Sequence, residues 1–497
     1  MKRIALTLLL LGSVNLCFSQ FKPLSKKRHS VNRLIDEITV YQGFDNAFFA
    51  FYAIDLNSGE VIAAKNSSKA LKPGSTLKLV STATALELLG PDFQFSTQLE
   101  YSGFIDTTAR VLHGNIYIRG GGDPTLGSIY FDSTQQYSFL SDWIHAIKGL
   151  GIDSIAGCIV GDASVYSNDM LPSTWTWSNM GNYYGASACG LSIFDNYYSI
   201  HFRTLAHKGD TAEILGVNPA IPGLFFENEV FADTILYDNV TIFGAPFSNF
   251  RSIRGSLPLS QSDFIVKGSM PDPALLAAHT LQQSLKEQGI PCEKKASTMR
   301  NLSNKKDKNL EKRTPFYSTS SPTLSTIIAQ INIQSINLFA EHCLIQSAIA
   351  LGTEPETDIA TKAVLEFWRQ KGMDIQGLSL NDGSGLSNYN LITPEQVVFI
   401  LQYMKNQSPH FNSFYQSLAV AGVSGTLKRL TLGSLAQGNL HGKSGTVDRS
   451  KAFAGYVTSI SGRQIAFSMV VNNFSCSSKE ASDQLEKLMI ELAKFEK

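Results

Sequence analysis

The pattern of apolar and polar positions changes twice along the chain. Near the amino end, apolar residues run through 47–56, and a second short apolar run covers 61–64 after an Asn-Ser-Gly turn. Two such runs around a turn of this kind predict a β-hairpin. Pro73 and Gly74 then break the chain, and the spacing over 75–89, ending at a Gly-Pro pair, predicts a helix.

The middle of the chain, from about residue 95 to 315, has a different texture. Short β-type runs such as 111–119 and 240–243 alternate with turns rich in Gly, Asn, Asp and Pro. The stretch 305–313 is charged and carries no apolar pattern, so we expect a solvated linker there.

Helical periodicity resumes from Thr323. The predicted elements are helices over 338–351, 359–370 and 480–495, and an antiparallel hairpin made by 452–458 and 464–471. The chain therefore mixes helices and strands.

The first residues have the pattern of a secretory signal. Lys2 and Arg3 precede the apolar run 4–11, and small residues lead to a cleavage point after Ser19. The run is short for a bilayer span, and no later stretch is long and apolar enough to form one. We expect residues 1–19 to be removed and the protein to be exported to the periplasm or cell envelope.

Composition and charge exclude several classes of function. The 497 residues are too many for one ordinary core and predict two or three domains. Lys+Arg and Asp+Glu both count 42, so the net charge is zero. A nucleic-acid-binding protein would usually carry an excess of basic residues, and this chain does not. The zero net charge likewise gives no support for broad electrostatic binding to a membrane surface.

Cysteines and histidines suggest no metal site or disulfide scaffold. The cysteines that remain after the signal, widely spaced, are Cys158, Cys189, Cys292, Cys343 and Cys476. No C-x-x-C or H-E-x-x-H is present, so we expect neither a metal nor another cofactor. The cysteines are interpreted as small buried hydrophobic residues, and their odd number leaves at least one free thiol or one pairing between chains.

The first candidate for chemistry is Ser75-Thr76-Leu77-Lys78. Positions three apart share a helix face, so the Ser75 hydroxyl and the Lys78 amine can meet. A serine is a weak nucleophile until a base takes its proton, and a buried lysine can be that base. By itself S-x-x-K is common on solvated helix faces.

The second candidate is Ser335-Ile336-Asn337, which lies between two apolar helical segments. The Ser335 hydroxyl could relay a proton, and the Asn337 amide could hold Lys78 and a substrate carbonyl together. Alone, a serine helix cap explains this tripeptide equally well.

The third candidate lies just before the carboxyl-terminal hairpin. Lys443 supplies a positive charge, while Ser444 and Thr446 supply hydroxyls suited to a carboxylate. Gly445 permits close approach of another backbone. Alone, this could be an ordinary turn into a strand.

Together, S-x-x-K, S-x-N and K-[ST]-G form the signature of penicillin-binding proteins and serine β-lactamases. The long interval between Ser75 and Ser335 resembles the class C low-molecular-mass penicillin-binding proteins, the D-Ala-D-Ala carboxypeptidase/endopeptidase family, which carries a large insertion there. Two further stretches, GGGDPTL at 120–126 and DGSGLS at 382–387, are similar to segments of that family. We interpret DGSGLS as a structural turn.

The resemblance implies an α+β fold. Residues 21–95 and 316–497 would form a penicillin-recognising domain with a five-stranded antiparallel sheet flanked by helices. Residues 96–315 would form a β-rich insertion of two small domains.

The resemblance also implies the reaction. Lys78 would activate Ser75 for attack on a D-Ala carbonyl, with the N–H groups of Ser75 and Thr446 stabilising the oxyanion. Ser335, positioned by Asn337 and Lys443, would protonate the leaving amine, and water would hydrolyse the ester. The partners would be peptidoglycan peptides ending in or cross-linked through D-Ala, with β-lactams as inhibitors.

Two positions depart from the family pattern. Lys443-Ser444-Gly445 replaces the commoner Lys-Thr-Gly but keeps the hydroxyl. Members often carry an Asp after a W-x-W, which favours cationic substrate side chains; here Asn179 stands in that region and supplies no charge. The sequence therefore does not determine which substrate side chain the protein prefers.

Two alternatives remain at this stage. One is a β-lactamase, although the chain lacks the E-x-x-L-N segment that activates water in class A enzymes. The other is a cell-wall binding or sensing protein that keeps the pocket without turnover.

Overall fold

The computed structural model describes residues 28–134, 137–186, 188–303 and 312–496. The predicted signal peptide, 1–19, and most of the predicted linker, 305–313, lie outside these residues. Within the described part, the helices are all too short or too polar to cross a membrane.

The described residues form twelve helices, twenty strands and several 3₁₀ turns, numbered in chain order. The helices are α1 (Arg28–Thr39), α2 (Lys78–Leu89), α3 (Ser138–Lys148), α4 (Trp177–Met180), α5 (Pro273–Glu287), α6 (Met299–Ser303), α7 (Leu324–Gln334), α8 (Asn337–Ala350), α9 (Thr357–Gln370), α10 (Pro394–Asn406), α11 (Phe411–Gln416) and α12 (Ser478–Ala493). The strands are β1 (Phe48–Asp55), β2 (Val61–Lys65), β3 (Ser96–Ser102), β4 (Phe104–Asp106), β5 (Val111–His113), β6 (Ile116–Arg119), β7 (Ser154–Ile155), β8 (Ile159–Asp162), β9 (Tyr197–Arg203), β10 (Glu213–Asn218), β11 (Phe225–Asp233), β12 (Asn239–Phe243), β13 (Phe250–Pro258), β14 (Phe264–Ser269), β15 (Ser297–Thr298), β16 (Arg313–Ser320), β17 (Ala419–Val420), β18 (His441–Val447), β19 (Ser450–Thr458) and β20 (Gln464–Asn472).

The largest sheet is antiparallel, with strand order β17-β18-β19-β20-β1-β2. It joins the amino-terminal hairpin to the carboxyl-terminal one through the pairing of β1 with β20. The prediction of a five-stranded sheet is wrong, because the sheet has six strands. The sixth strand is β17, in which Ala419 and Val420 pair with Gly442 and His441. It was not predicted because a two-residue strand is too short to show a periodic pattern.

Helices cover both faces of this sheet. On one face Ala454 and Tyr456 of β19 share a buried cluster with α2, α7, α8 and α10. On the other face Phe51 and Phe467 pack with α1 and α12. Successive strand residues point to opposite faces, which lets one sheet contribute to both cores. This arrangement packs α2 and α8 together behind β19.

The described residues from β3 to β16, with both of these strands included, form four smaller sheets. Their strand orders are β15-β8-β6-β3-β16, β4-β5-β7, β10-β9-β14 and β11-β13-β12. The first two share an apolar core with α3 and α5, and the last two enclose a separate core around Tyr198 and Ile253. The predicted α+β class is confirmed, whereas the division into domains stays a prediction; β16 runs across the expected boundary at 315/316.

Arg313 corrects the linker prediction. It opens β16 rather than lying in a solvated segment, and its side chain is 16% exposed. The guanidinium lies 2.6 Å from Asp162 and 3.4 Å from Glu100, both buried acids on other strands of the same sheet. A local charge pattern cannot reveal partners so far away in sequence, which is why the prediction failed here.

No disulfide joins any two of the five described cysteines. Cys158, Cys189 and Cys343 are buried, in accordance with their interpretation as small hydrophobic residues.

Candidate active site

Ser75 lies in a 3₁₀ turn, Gly74–Leu77, that leads directly into α2. The turn packs tightly on β18. Gly74 has φ +52°, and a Cβ there would lie 2.7 Å from the Thr446 nitrogen. A Cβ on Gly445 would lie 2.2 Å from the Pro73 carbonyl oxygen. Glycine at both positions lets the backbone of the serine turn and that of β18 approach closely.

Lys78 is the first residue of α2 and is fully buried. Its Nζ lies 2.9 Å from Ser75 Oγ, 2.7 Å from Asn337 Oδ1 and 2.7 Å from the Ser384 carbonyl oxygen. Burial lowers the pKa of Lys78 to about 7, although the carboxyl groups of Asp382 and Glu341 oppose the shift. A lysine in this state is available as a base near neutral pH.

The second motif occupies the junction of α7 and α8. Ser335 ends α7 in a left-handed conformation, φ 65°, and Asn337 begins α8. The Asn337 side chain accepts from Lys78 and donates its Nδ2–H to the Tyr184 carbonyl, 2.8 Å away. The junction thereby links the lysine to the segment between β3 and β16.

Lys443 lies on β18 and is fully buried. Its Nζ donates to Ser335 Oγ and to the Ser444 carbonyl, each at 2.9 Å. Burial holds the pKa of Lys443 well below its usual value, and the positive charges of Lys78 and Lys451 add to the effect. The ion pairs of the described residues do not include Lys443.

A cleft of about 590 Å³ opens in front of these groups. Its lining includes Ser75, Asn337 and Thr446, together with Asn179 of α4 and Asp448 of the β18–β19 turn. Asn179, predicted only from its position after W-x-W, therefore faces the same cleft as the candidate nucleophile.

Ser444 is placed differently from the other residues of its motif. Its hydroxyl donates to the Thr426 hydroxyl at 2.8 Å, outside the residues that line the cleft. The structure brings together Ser75, Lys78, Ser335, Asn337 and Lys443, with Gly445 and Thr446 at the edge of the serine turn. Nowhere in the described ranges are three or more His, Cys, Asp or Glu side chains grouped so as to hold a metal ion.

Sequence reasoning missed the loop that supports Lys78. The Ser384 carbonyl, inside DGSGLS, is an acceptor for the lysine. Glu341, buried on α8, holds that loop by accepting from the Gly383 N–H and the Ser384 N–H, each at 2.9 Å. Burial and the neighbouring Asp382 raise the pKa of Glu341. An acid within the apolar run of a predicted helix was the available signal, because a carboxylate is rarely buried without partners.

Asp382 closes the same loop. Its Oδ1 accepts from the Gly385 N–H at 2.8 Å and from Asn390 Nδ2 at 2.7 Å. Its Oδ2 accepts from the Ser387 N–H at 2.6 Å and from the Trp175 indole N–H at 2.8 Å. Trp175 is buried in the segment between β3 and β16, so that segment helps to hold the loop that contacts Lys78.

We expect Trp175→Phe to loosen this loop. The ring is kept while a buried hydrogen bond to a carboxylate is lost, an interaction worth about 1.5–3 kcal/mol. The amides of residues 383–387 should then exchange hydrogen about tenfold to a hundredfold faster, as measured by mass spectrometry. Trp177→Phe is the matched control, since Trp177 is 56% exposed. Equal exchange in both variants would contradict a supporting role for the indole.

Comparisons with known proteins give a consistent family. The sequence model described as the D-Ala-D-Ala carboxypeptidase 3 (S13) family matches residues 31–494. A D-alanyl-D-alanine carboxypeptidase from an Actinomadura species is 27% identical over 89% of this chain and 80% of its own. The crystal structure of penicillin binding protein 4 from Haemophilus influenzae has a TM-score of 0.77 at 23% identity, covering 93% of this chain and 98% of that one. A structure of the same protein complexed with a β-lactam has a TM-score of 0.71 at 21% identity, covering 93% and 98%.

Proposed function

Because the chain belongs to the D-Ala-D-Ala carboxypeptidase 3 (S13) family, we propose that Ser75 is the acylated nucleophile of its peptidase reaction. The family predicted from the three motifs and the long interval between the first two is confirmed, and the chain is a serine hydrolase. The proposed substrates are peptidoglycan peptides that end in, or are cross-linked through, D-Ala. Proposed inhibitors are β-lactams, and the proposed location is the periplasm or cell envelope.

The set of partners around the Lys78 amine is the observation that supports this function most strongly. A neutral amine has two N–H donors and one lone pair. Asn337 Oδ1 and the Ser384 carbonyl can only accept, which leaves the lone pair for the Ser75 hydroxyl at 2.9 Å. Lys78 is thereby oriented to take the Ser75 proton as the oxygen attacks the D-Ala carbonyl.

The later steps use the groups on the other side of the cleft. The N–H groups of Ser75 and Thr446 would stabilise the oxyanion, because the serine turn and β18 approach closely there. Lys443 donates to Ser335 Oγ, so the Ser335 hydroxyl can direct its own hydrogen toward the leaving amine. The amine departs with that proton, and the proton that Lys78 took from Ser75 returns to Ser335. Water then hydrolyses the ester by adding its hydroxyl to the acyl carbon and a proton to the Ser75 oxygen.

Incubation with purified muropeptides tests the proposal. We expect free D-Ala to be released, and penicillin to form a stable adduct that blocks the release. An adduct with neither D-Ala release nor cleavage of cross-linked muropeptides would instead favour the sensing protein. Rapid turnover of penicillin without attack on muropeptides would favour the β-lactamase. No feature of the site favours either alternative at present.

Substrate choice gives a separate prediction. Asn179 adds no net charge to the cleft, so we expect weak discrimination between peptides with and without an ammonium group on the side chain. Asn179→Asp should raise the preference for the ammonium form about tenfold to a hundredfold, since hydrogen bonds to charged groups contribute about 1.5–3 kcal/mol. The measurement is the ratio of kcat/KM for the two peptides.

The control for this experiment is the unmodified protein. Strong discrimination already present there, and unchanged by Asn179→Asp, would show that another acid does this work. Asp448, which lines the same cleft, would be the first to examine.

A further inference from the structure

Lys451 is a third lysine beside the cleft, and none of the three motifs contains it. It lies on β19 opposite Thr446 of β18. Its Nζ donates to Thr446 Oγ1 at 2.9 Å. The ammonium group also lies 5.5 Å from the ring centroid of Phe453, which is buried. Lys451 itself is only partly exposed, so this long side chain is held toward the edge of the cleft.

The charge around Lys451 is not balanced by an ion pair. Within the described ranges, no carboxylate lies within 4.0 Å of the Nζ of Lys451 or of Lys443. The two lysines are close enough for the charge of Lys451 to lower the pKa of Lys443. Two lysines held near each other without an acid partner carry an electrostatic cost when both are protonated. An anion in the cleft would offset that cost.

The hydrogen bond to Thr446 has a second consequence. A hydroxyl oxygen can accept while its own hydrogen donates elsewhere. Because Oγ1 accepts from Lys451, its hydrogen is directed away from that ammonium. Thr446 lines the cleft with Ser75, so a carboxylate placed there can receive this hydrogen.

We propose that Lys451 is a positioning residue that orients the Thr446 hydroxyl and supplies positive charge for the substrate carboxylate next to the scissile bond. The proposal rests on the proposed peptidase function and adds a specificity determinant to it. The preferred ligand is a peptide with a free carboxylate on the leaving D-amino acid. Neutral analogues of that peptide would lose the benefit of Lys451.

The test compares an acid with its neutral analogue. The probes are a peptide ending in D-Ala-D-Ala, the same peptide with a carboxyl-terminal amide, benzylpenicillin and its methyl ester. In Lys451→Met, KM for the acid peptide should rise about tenfold, because a charge-assisted interaction is lost, while kcat changes little. KM for the amide should stay within about twofold. The acylation rate should show the same contrast between benzylpenicillin and the ester.

Two more variants separate the parts of the effect. Lys451→Gln keeps a hydrogen-bond donor for Thr446 without the charge. The rise in KM for the acid peptide should therefore be smaller in this variant than in Lys451→Met. It also serves if the methionine variant does not fold. Lys72→Met is the matched control, because Lys72 Nζ donates to the Asp448 carbonyl at 3.0 Å in the adjoining turn and does not contact Thr446. The ratio of acid to amide should remain within about twofold in that control.

The outcomes distinguish this inference from the proposed function. If the unmodified protein cleaves neither peptide and forms no penicillin adduct, the peptidase function fails and the inference with it. If the unmodified protein is active but Lys451→Met and Lys451→Gln weaken acid and amide equally, Lys451 is only structural and the inference is overturned. A loss confined to the acid supports it.

Discussion

Replacement of Ser75 by alanine should abolish covalent labelling by penicillin. The Ser75 hydroxyl lies 2.9 Å from the Lys78 amine, and Ser75 lines the cleft. Alanine removes this hydroxyl and leaves no side-chain atom at position 75 that penicillin can acylate. Acylation should fall by at least about 10⁴-fold, since removal of a nucleophile eliminates the covalent step. Mass spectrometry of the intact protein after incubation with penicillin measures the loss. Peptide mapping of the unmodified protein should place the adduct on Ser75.

Ser384→Ala is the matched control for that experiment. Ser384 lies in the DGSGLS loop, and its contact with Lys78 is made by the backbone carbonyl, which alanine keeps. Labelling of this variant should therefore remain within severalfold of the unmodified protein. A Ser75→Ala protein that still forms the adduct would move the nucleophile elsewhere, and loss of labelling in Ser384→Ala alone would identify Ser384.

Replacement of Lys78 by arginine should slow acylation by about 10²-fold or more. Arginine keeps the positive charge but does not give up its proton, so general-base catalysis is lost. The acylation rate is measured by incubating the protein with labelled penicillin and quenching samples at successive times. Lys443→Arg is the comparison, because the proposed role of Lys443 is a fixed charge. It should lose less activity than Lys78→Arg. The reverse order would transfer the role of base to Lys443 or to a water.

The same assignment predicts how acylation depends on pH. Only the neutral Lys78 amine can accept the Ser75 proton, and burial lowers its pKa to about 7. The acylation rate should therefore fall about tenfold for each pH unit below that value and level off above it. A rate that is flat from pH 5 to pH 8 would show that a different group is the base.

Much of the fold could be predicted because its signals are local. The hairpins of β1–β2 and β19–β20 and the helices α8, α9 and α12 follow from apolar spacing and turn residues that lie within each element. The amino-terminal helix α1 was not predicted. Its buried face acquires meaning only when α12 packs against it.

The candidate site divides in the same way. The sequence by itself determined which residues could do the chemistry, because S-x-x-K, S-x-N and K-[ST]-G carry their chemical groups regardless of where the chain folds. It also determined the hairpins β1–β2 and β19–β20 and the helices α8, α9 and α12, since each periodicity is read from neighbouring residues. The family followed from the three motifs in that order and from the long interval between the first two.

Only the tertiary structure decided how those groups act. The low pKa of Lys78 comes from complete burial, and its orientation comes from Asn337 and the Ser384 carbonyl, which are distant in sequence. The support by Glu341 and Asp382, and the placement of Lys451 beside Thr446, likewise require the folded chain. The physical reason is that desolvation and hydrogen-bond geometry depend on atoms brought together across the chain, whereas chemical identity and local periodicity do not.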